Sequence, residues 1–193
     1  MIIGITGGTG CGKTTLLNTI REAGGFVLDC DVIYHQLLRR NSDLAEAIEA
    51  RFPGTVGEAG LDRKKLGAIV FADENALLDL NQITHAAVKA EVLRLLEEKP
   101  PLAAIDAIAL FESGLSGLCD VTVAVTAPKE ARIARLMARD GISREYAQSR
   151  IAAQHDEAWF RERCDFVLEN EGDIQDFTSK CVAFLRQIGI IEA

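Results

Sequence analysis

The chain has 193 residues, of which 48% are hydrophobic, and its formal net charge is −8. That length accommodates one α/β domain with insertions and excludes two large independent domains, while the negative charge argues against a broad basic surface for nucleic acid. Five scattered cysteines without a CxxC pair fit a reducing compartment, and no signal peptide or membrane-spanning segment is expected. These features predict a cytoplasmic protein that binds neither nucleic acid nor a membrane.

The first predicted strand leads into a glycine-rich turn. An apolar run at 2–5 precedes the segment from Gly7 to Thr14, which fits the GxxxxGK[ST] pattern of a phosphate-binding loop, or P-loop. Backbone N–H groups and a helix N-terminus surround phosphates in such loops, the lysine reaches the β- and γ-phosphates, and the next hydroxyl is a ligand for Mg²⁺. The pattern therefore predicts a nucleoside triphosphate site, with the metal on Thr14, formed by Gly8, Gly10, Cys11, Gly12, Lys13, Thr14 and Thr15.

A helix over 13–23 and a short buried strand over 26–28 are predicted next, and the strand end carries Asp29 and Asp31. A carboxylate near the phosphate loop can accept a proton from an attacking hydroxyl, so Asp31 is the candidate general base. Aspartate is also a favoured N-cap residue. The alternative is therefore that one of this pair merely caps the following helix.

From residue 32 to about residue 99, apolar residues recur at helical spacing, which predicts a helical insertion between strands. Strands are then predicted over 102–111 and 121–125. Glu112 directly follows the first of these and is a candidate for holding Mg²⁺ through water or for binding a substrate hydroxyl. The alternative is a glutamate that faces solvent.

Helices over 129–139 and 144–155, a strand over 166–168 and a closing helix over 174–188 complete the predicted elements. This alternation predicts a parallel sheet covered by helices on both faces, with ligands at the carboxyl ends of the strands. The P-loop, Asp29, Asp31, Glu112 and Asn170 all fall at or just after predicted strand ends.

Phosphoryl transfer needs cations that close over the transferring group. The predicted helices over 129–139 and 144–155 supply five candidates: Arg132, Arg135, Arg139, Arg144 and Arg150. The first three recur at three- and four-residue spacing and share one helix face. The alternative is a solvated surface paired with Glu130 and Asp140, which we expect for at least two of the five.

Histidines and cysteines show no spacing typical of a zinc site. His35 follows Asp31 by one helical turn, so it is a candidate for the same cleft.

Several segments together form a pattern more specific than the P-loop alone. They are Thr6–Thr14, Asp29–Asp31, Gly60–Arg63, Leu80–Asn81 before His85, Leu110–Leu115, Arg139–Ser143, Arg150–Gln154 and Cys164–Gly172. In these segments the chain resembles the dephospho-coenzyme A kinase family. The resemblance covers most of the chain.

The resemblance implies transfer of the ATP γ-phosphate to the ribose 3′-hydroxyl of dephospho-coenzyme A, the last step of coenzyme A biosynthesis, with Mg²⁺ accompanying ATP. It implies a single P-loop nucleoside triphosphate hydrolase-like domain with a core (1–31, 100–138 and 156–193), a helical substrate lobe (32–99) and a lid (139–155). Asp31, Lys13 and Arg135 would be catalytic. Arg139 and Asn170 would bind ATP, the latter near the adenine. Substrate would be bound by Thr6, Asp29, Asp31, His35, Arg63, His85 and Glu112.

The sequence also departs from the family pattern. The family's His-Pro pair reads His85–Ala86, the proline of its PLLFE motif reads Ile108, and Cys11 and Cys30 replace a serine and an alanine. Another small-molecule nucleoside or nucleotide kinase, or a nucleotide-dependent switch, would share the P-loop. Against the switch, the chain has no NKxD-type guanine signature.

Overall fold

The computed structural model describes residues 1–39, 43–98 and 100–192. Among these residues, no helix is long and apolar enough to cross a membrane. Along the chain the elements are β1 (Ile2–Thr6), α1 (Lys13–Glu22), β2 (Phe26–Asp29), α2 (Cys30–Arg39), α3 (Asp43–Arg51), β3 (Val56–Gly57), β4 (Gly60–Leu61), α4 (Arg63–Val70), α5 (Glu74–Leu96), β5 (Ala103–Asp106), a 3-10 helix (Ser116–Leu118), β6 (Val121–Thr126), α6 (Lys129–Asp140), α7 (Arg144–Ala152), α8 (Glu157–Arg163), β7 (Phe166–Glu169) and α9 (Ile174–Gln187).

The described residues form two compact units. The first comprises Met1–Val27, Pro100–Phe111 and the described part of Leu115–Ala193; the second comprises the described part of Leu28–Lys99 with Glu112–Gly114. The boundary predicted between residues 31 and 32 thus lies a few residues after the observed one, and the predicted lid at 139–155 lies within the first unit. Residues 40–42 and 99 of the predicted lobe, and residue 193 of the predicted core, lie outside the described residues.

Five strands form one sheet in the order β2-β5-β1-β6-β7. β1 pairs in parallel with β5 and β6, and β6 pairs in parallel with β7. The register places Ile5 opposite both Asp106, the last residue of β5, and Val123. β1 and β5 therefore end within one residue of each other where β1 enters the phosphate loop, and β6 continues to Thr126. A parallel sheet flanked by helices confirms the predicted fold class.

The sheet of the first unit is buried by helices on its faces. Alternate residues of a strand point to the same face, and α1 and α9 pack on one face against Ile3, Ile5, Val123 and Val125. α7, in the predicted lid, packs against α6 through a small core formed by Ile133, Leu136, Ala147 and Ile151. Strands covered on both faces consist of nearly continuous apolar residues, which is why β1 and β6 were recognisable in the sequence.

The strand predicted over 102–111 is shorter in the structure. β5 ends at Asp106, and a turn follows in which Leu110 and, further on, Leu115 are buried. Because these apolar side chains are buried in a turn, their hydrophobicity resembled that of a continuing strand. The prediction that Glu112 directly follows a strand is therefore wrong, because Glu112 lies in the turn. Asp106 occupies the end of the strand.

The helix predicted over 144–155 also differs. α7 ends at Ala152, and the unpredicted α8 begins after Asp156, whose side chain accepts a hydrogen bond from the Trp159 N–H. This capping interaction begins a new helix after a short break, and apolar spacing alone does not report such a break.

The second unit is helical, as predicted, but it contains the short antiparallel pair β3 and β4, which the sequence did not predict. Two-residue strands are too short to show an alternating pattern. The two carboxylate oxygens of Glu49 accept hydrogen bonds from the backbone N–H groups of Gly54 and Val56, which lie just before and within β3. The core of the unit is formed by Leu44, Ile48, Phe52, Leu66, Val70 and Ala76.

Candidate active site

The phosphate loop connects β1 to α1, and its glycines adopt backbone conformations that other residues rarely reach. The φ angles of Gly7, Gly10 and Gly12 are 127°, 76° and 98°. A Cβ atom on Gly12 would lie 2.3 Å from Nδ2 of Asn170. Glycine is therefore required at residue 12 both by the positive φ and by the side chain packed against it.

Lys13 and Thr14 occupy the first turn of α1. Nζ of Lys13 donates a 2.8 Å hydrogen bond to the carbonyl of Gly7, so the lysine side chain folds back over the loop. Thr14 is exposed and Thr15 is half-buried. The ammonium group and the N-terminal N–H groups of α1 together form an environment suited to an anion.

Arg135 and Asn170 hold the phosphate loop through hydrogen bonds to its backbone carbonyls. Nη2 of Arg135 lies 3.2 Å from Oδ1 of Asn170, and Nη1 lies 3.2 Å from the Gly10 carbonyl. Nδ2 of the buried Asn170 donates to the Cys11 carbonyl at 2.8 Å. The structure thus brings two predicted site residues from α6 and from the end of β7 against the predicted nucleotide site.

Arg132 and Gln154 also contact the loop, and neither had been assigned a specific role. Nε of Arg132 donates to the Thr9 carbonyl, while Oε1 of Gln154 accepts from the Thr9 N–H, each at 2.9 Å. The three-residue spacing between Arg132 and Arg135 was a signal for the first of these contacts. Gln154 ends the segment Arg150–Gln154, in which the chain resembles the family, but that resemblance gave it no role.

The other three arginines of this region pair with carboxylates. Nε and Nη2 of Arg139 donate to Asp140 at 2.6 and 3.0 Å, and Arg150 donates to the same carboxylate at 2.7 Å. Hydrogen bonds from Arg139, and to a smaller extent from Arg150, lower the pKa of Asp140 from 3.8 to about 2. Arg144 pairs with Glu130. The expected surface pairs therefore occur, and the assignment of Arg139 to ATP stays a prediction.

Cys11 lies buried inside the loop. Burial raises the pKa of its thiol above 9.0, although the charges of Arg132 and Lys13 act in the opposite direction. The thiol is therefore protonated at neutral pH and packs as a small apolar group.

Oxygen donors near the phosphate loop fit Mg²⁺, the ion that phosphoryl transfer requires. The Thr14 hydroxyl is exposed at the start of α1, and the carboxylate of Asp106 stands at the end of the neighbouring strand β5. The described residues contain no group of three or more His, Cys, Asp or Glu side chains arranged for a metal. The two oxygen donors Thr14 and Asp106 suit Mg²⁺, because this ion takes one or two protein oxygens and completes its coordination shell with water and phosphate. Asp106 had been missed because the predicted strand extended past it.

In the second unit, Asp29 and Asp31 have different surroundings. Oδ1 of Asp29 accepts a 3.0 Å hydrogen bond from the Val32 N–H, so Asp29 caps α2. Asp31 lies in the first turn of that helix and is exposed. The capping alternative therefore applies to Asp29, and the carboxylate of Asp31 is left for another role.

His35 and Arg63 form a pair in the same unit. Nη2 of Arg63, at the start of α4, lies 3.1 Å from Nδ1 of His35, one helical turn beyond Asp31. Because a guanidinium only donates hydrogen bonds, Nδ1 of His35 is the acceptor in this contact. The contact orients a cation next to the turn that carries Asp31.

His85 and Glu112 also belong to the second unit. Burial lowers the pKa of the half-buried His85 below 6.5, and the charge of Glu112 opposes this effect. Nζ of Lys89, one turn further along α5, donates to the Gly114 carbonyl at 3.0 Å. Lys89 thus ties the 112–114 turn to α5, a contact that the sequence did not reveal.

Thr6, a predicted substrate residue at the end of β1, is fully buried. Its Oγ1 donates to the Ile108 carbonyl at 3.1 Å. This contact holds the turn after β5 against β1, and the assignment of Thr6 to substrate stays a prediction.

The first unit therefore offers N–H groups, one lysine and two arginines around a loop built for anions. The second offers the exposed carboxylate of Asp31, the guanidinium of Arg63 oriented by His35, and His85, whose pKa is lowered by burial. The cations of the first unit suit phosphates, and the carboxylate of the second unit can accept a proton from a hydroxyl.

Comparison with known proteins gives consistent matches. The family model CoaE, dephospho-CoA kinase, matches residues 1–176. The dephospho-CoA kinase of Latilactobacillus sakei is 34% identical over 191 residues, which cover 96% of this chain and 95% of the relative.

Two solved structures show the same agreement. A protein from Thermus thermophilus superposes with a TM-score of 0.82 at 36% identity, covering 97% of each chain. Dephospho-CoA kinase from Campylobacter jejuni superposes with a TM-score of 0.68 at 28% identity, covering 97% of this chain and 96% of its own.

Proposed function

Because the chain belongs to the dephospho-CoA kinase family, we propose that it transfers the γ-phosphoryl group of ATP to the ribose 3′-hydroxyl of dephospho-coenzyme A, giving coenzyme A and ADP. The observation that carries the proposal is the phosphate loop with Lys13 folded over it, in a chain that the family model matches over residues 1–176.

ATP binds with its phosphates in the loop between Gly8 and Thr15. Lys13 leaves the Gly7 carbonyl for the β- and γ-phosphates and stabilises the negative charge of the transferring group. Asn170 and Arg135 adjoin the loop. Arg139 leaves the carboxylate of Asp140 and binds ATP instead. The contact between Arg135 and the Gly10 carbonyl supports a role for this arginine at the phosphates.

Asp31 accepts the proton of the ribose 3′-hydroxyl as the oxygen attacks the γ-phosphorus. Its exposure, and the capping of α2 by Asp29 instead, support this role. The proton passes to a carboxylate oxygen of Asp31 while the bond between the γ-phosphorus and the β–γ bridging oxygen breaks and ADP leaves.

The acceptor is held by Thr6, Asp29, Asp31, His35, Arg63, His85 and Glu112. Arg63 is the cation of this set that suits the diphosphate of the acceptor, and its contact with His35 supports that role. The lowered pKa of His85 keeps its imidazole neutral at pH 7, so that it exchanges hydrogen bonds without adding charge.

Mg²⁺ accompanies ATP, and Thr14 and Asp106 are the residues that would hold it. When bound, the ion neutralises charge on the phosphates and orients them. The protein is expected to act in the cytoplasm on small molecules, with no role for nucleic acid or membranes.

The test is a coupled assay of ADP release with Mg²⁺-ATP, comparing dephospho-coenzyme A with adenosine, AMP and no acceptor, and with coenzyme A identified as the product. We expect strong stimulation by dephospho-coenzyme A alone, and a loss of both ATP affinity and rate in Lys13→Ala. Stimulation by adenosine or AMP instead would contradict the proposed acceptor, and stimulation by none of them would contradict the kinase activity.

A further inference from the structure

Gln154 joins the end of the α7 region to the phosphate loop. Its Oε1 accepts two hydrogen bonds of 2.9 Å, one from the backbone N–H of Thr9 and one from Nη2 of Arg132. Nε of Arg132 in turn donates to the carbonyl of Thr9. Gln154 and Arg132 therefore hold the peptide groups on both sides of Thr9.

Arg132 lies across the phosphate loop in direct contact with its backbone. A Cβ atom on Gly8 would lie 2.2 Å from Nη2 of Arg132 and 3.1 Å from Oε1 of Gln154. The guanidinium therefore occupies the space that a side chain at residue 8 would need. Nη1 of Arg132 makes no hydrogen bond to any described residue, which leaves its N–H groups for a phosphate oxygen.

The five arginines of this region divide by the chemistry of their partners. Arg139, Arg144 and Arg150 pair with carboxylates, which neutralise their charge. Arg132 and Arg135, which touch the phosphate loop, are held by the amide oxygens of Gln154 and Asn170 and by backbone carbonyls. A neutral acceptor orients a guanidinium without cancelling its positive charge, so the arginine still attracts an anion.

We propose that Gln154 is a positioning residue for ATP: it fixes Arg132 across the phosphate loop with its charge intact, so that the guanidinium binds the triphosphate. The proposal rests on the ATP-dependent activity proposed above. It assigns to Arg132 a contact with the phosphates and to Gln154 an effect that acts through Arg132.

Calorimetric titration with Mg²⁺-ATP tests this without any acceptor, on the full chain and on Gln154→Ala, Gln154→Glu, Arg132→Ala and the double variant Gln154→Ala/Arg132→Ala. We expect Gln154→Ala to raise the Kd for ATP about tenfold, because a hydrogen bond to a charged group is lost. Gln154→Glu keeps the acceptor oxygen but neutralises Arg132, so it should raise the Kd at least as much while leaving the melting temperature unchanged or higher.

The double variant should bind ATP within about twofold of Arg132→Ala, since Gln154 acts through that residue. Gln148→Ala, the same change at a half-buried glutamine of α7, is the matched control and should bind like the unchanged protein. In turnover assays, the KM for ATP should rise in Gln154→Ala while the KM for the acceptor stays within about twofold.

If Gln154→Glu binds ATP as tightly as the unchanged protein, or if the two alanine substitutions weaken binding additively, Gln154 has a structural role alone and the proposal is wrong. An unchanged protein that binds no ATP would instead overturn the proposed activity, and this inference with it. ATP binding with a different acceptor preference would overturn the proposed substrate and leave this inference in place.

Discussion

Arg135 and Asn170 converge on one backbone oxygen of the phosphate loop. Nδ2 of Asn170 lies 2.8 Å from the Cys11 carbonyl and Nη1 of Arg135 lies 3.4 Å from the same atom, while the two side chains are 3.2 Å apart. The nucleotide loop is thus supported by side chains far from it in sequence, from α6 and from the end of β7. Changes in these residues should affect the loop even where they do not touch ATP.

Arg135→Ala should lower kcat about 100-fold, because a cation beside the transferring phosphoryl group is lost. Steady-state assays with saturating ATP and acceptor measure this effect. Arg144→Ala is the comparison, since Arg144 is an exposed arginine paired with Glu130. Full turnover in Arg135→Ala would move the catalytic cation to Arg139.

Asp31→Asn should lower kcat by at least about 100-fold with ATP binding retained, because the proton acceptor is removed and the shape is kept. Asp29→Ala should lower the free energy of unfolding by about 1 kcal/mol, because α2 loses its cap. Single-turnover rates and denaturant unfolding of both variants separate the two roles. A large stability loss in Asp31→Asn with an unchanged rate would reverse the assignments.

Gly12→Ala should lose stability and ATP affinity together. Its φ of 98° costs an alanine about 1 kcal/mol, and the new methyl group would also displace Asn170, whose Nδ2 would be 2.3 Å away. Gly24→Ala is the matched control, with a φ of 82° and no atom within 4 Å of the new Cβ. It should show the stability loss alone. Equal ATP affinity in the two variants would show that the Asn170 contact does not support the loop.

The ion pairs of Asp140 should stabilise the protein above about pH 4 and lose that effect as the pH falls towards about 2. The pKa of Asp140 is about 2 in the folded protein and has an ordinary value of 3.8, so the unfolded chain takes up the proton first. The stability difference between the unchanged protein and Asp140→Asn should therefore shrink across this interval. Denaturant unfolding at several pH values measures it, with Glu58→Gln as the control. A difference that stays constant to pH 2 would show that the pairs do not stabilise the fold.

Much of the fold was predictable because its signals are local. β1 and β6 are continuous apolar runs, the P-loop spacing marks the turn between β1 and α1, and the alternation of strands and helices predicts a parallel sheet. The family resemblance was confirmed by the match over residues 1–176. Where apolar residues are buried in a turn, as at Leu110, or where a polar cap restarts a helix, as at Asp156, local patterns misplaced the boundary.

The sequence by itself determined the phosphate loop, the family and a short set of candidate side chains, since these depend on neighbouring residues in the chain. Only the tertiary structure decided which of the candidates meet. It turned Arg132 and Arg135 towards the loop and Arg139 towards Asp140, gave the helix cap to Asp29, and brought Gln154 to Thr9 across 145 positions of sequence. The reason is physical: a side chain's partner is set by where the sheet and its flanking helices carry it, and the spacing of residues along one helix face does not contain that information.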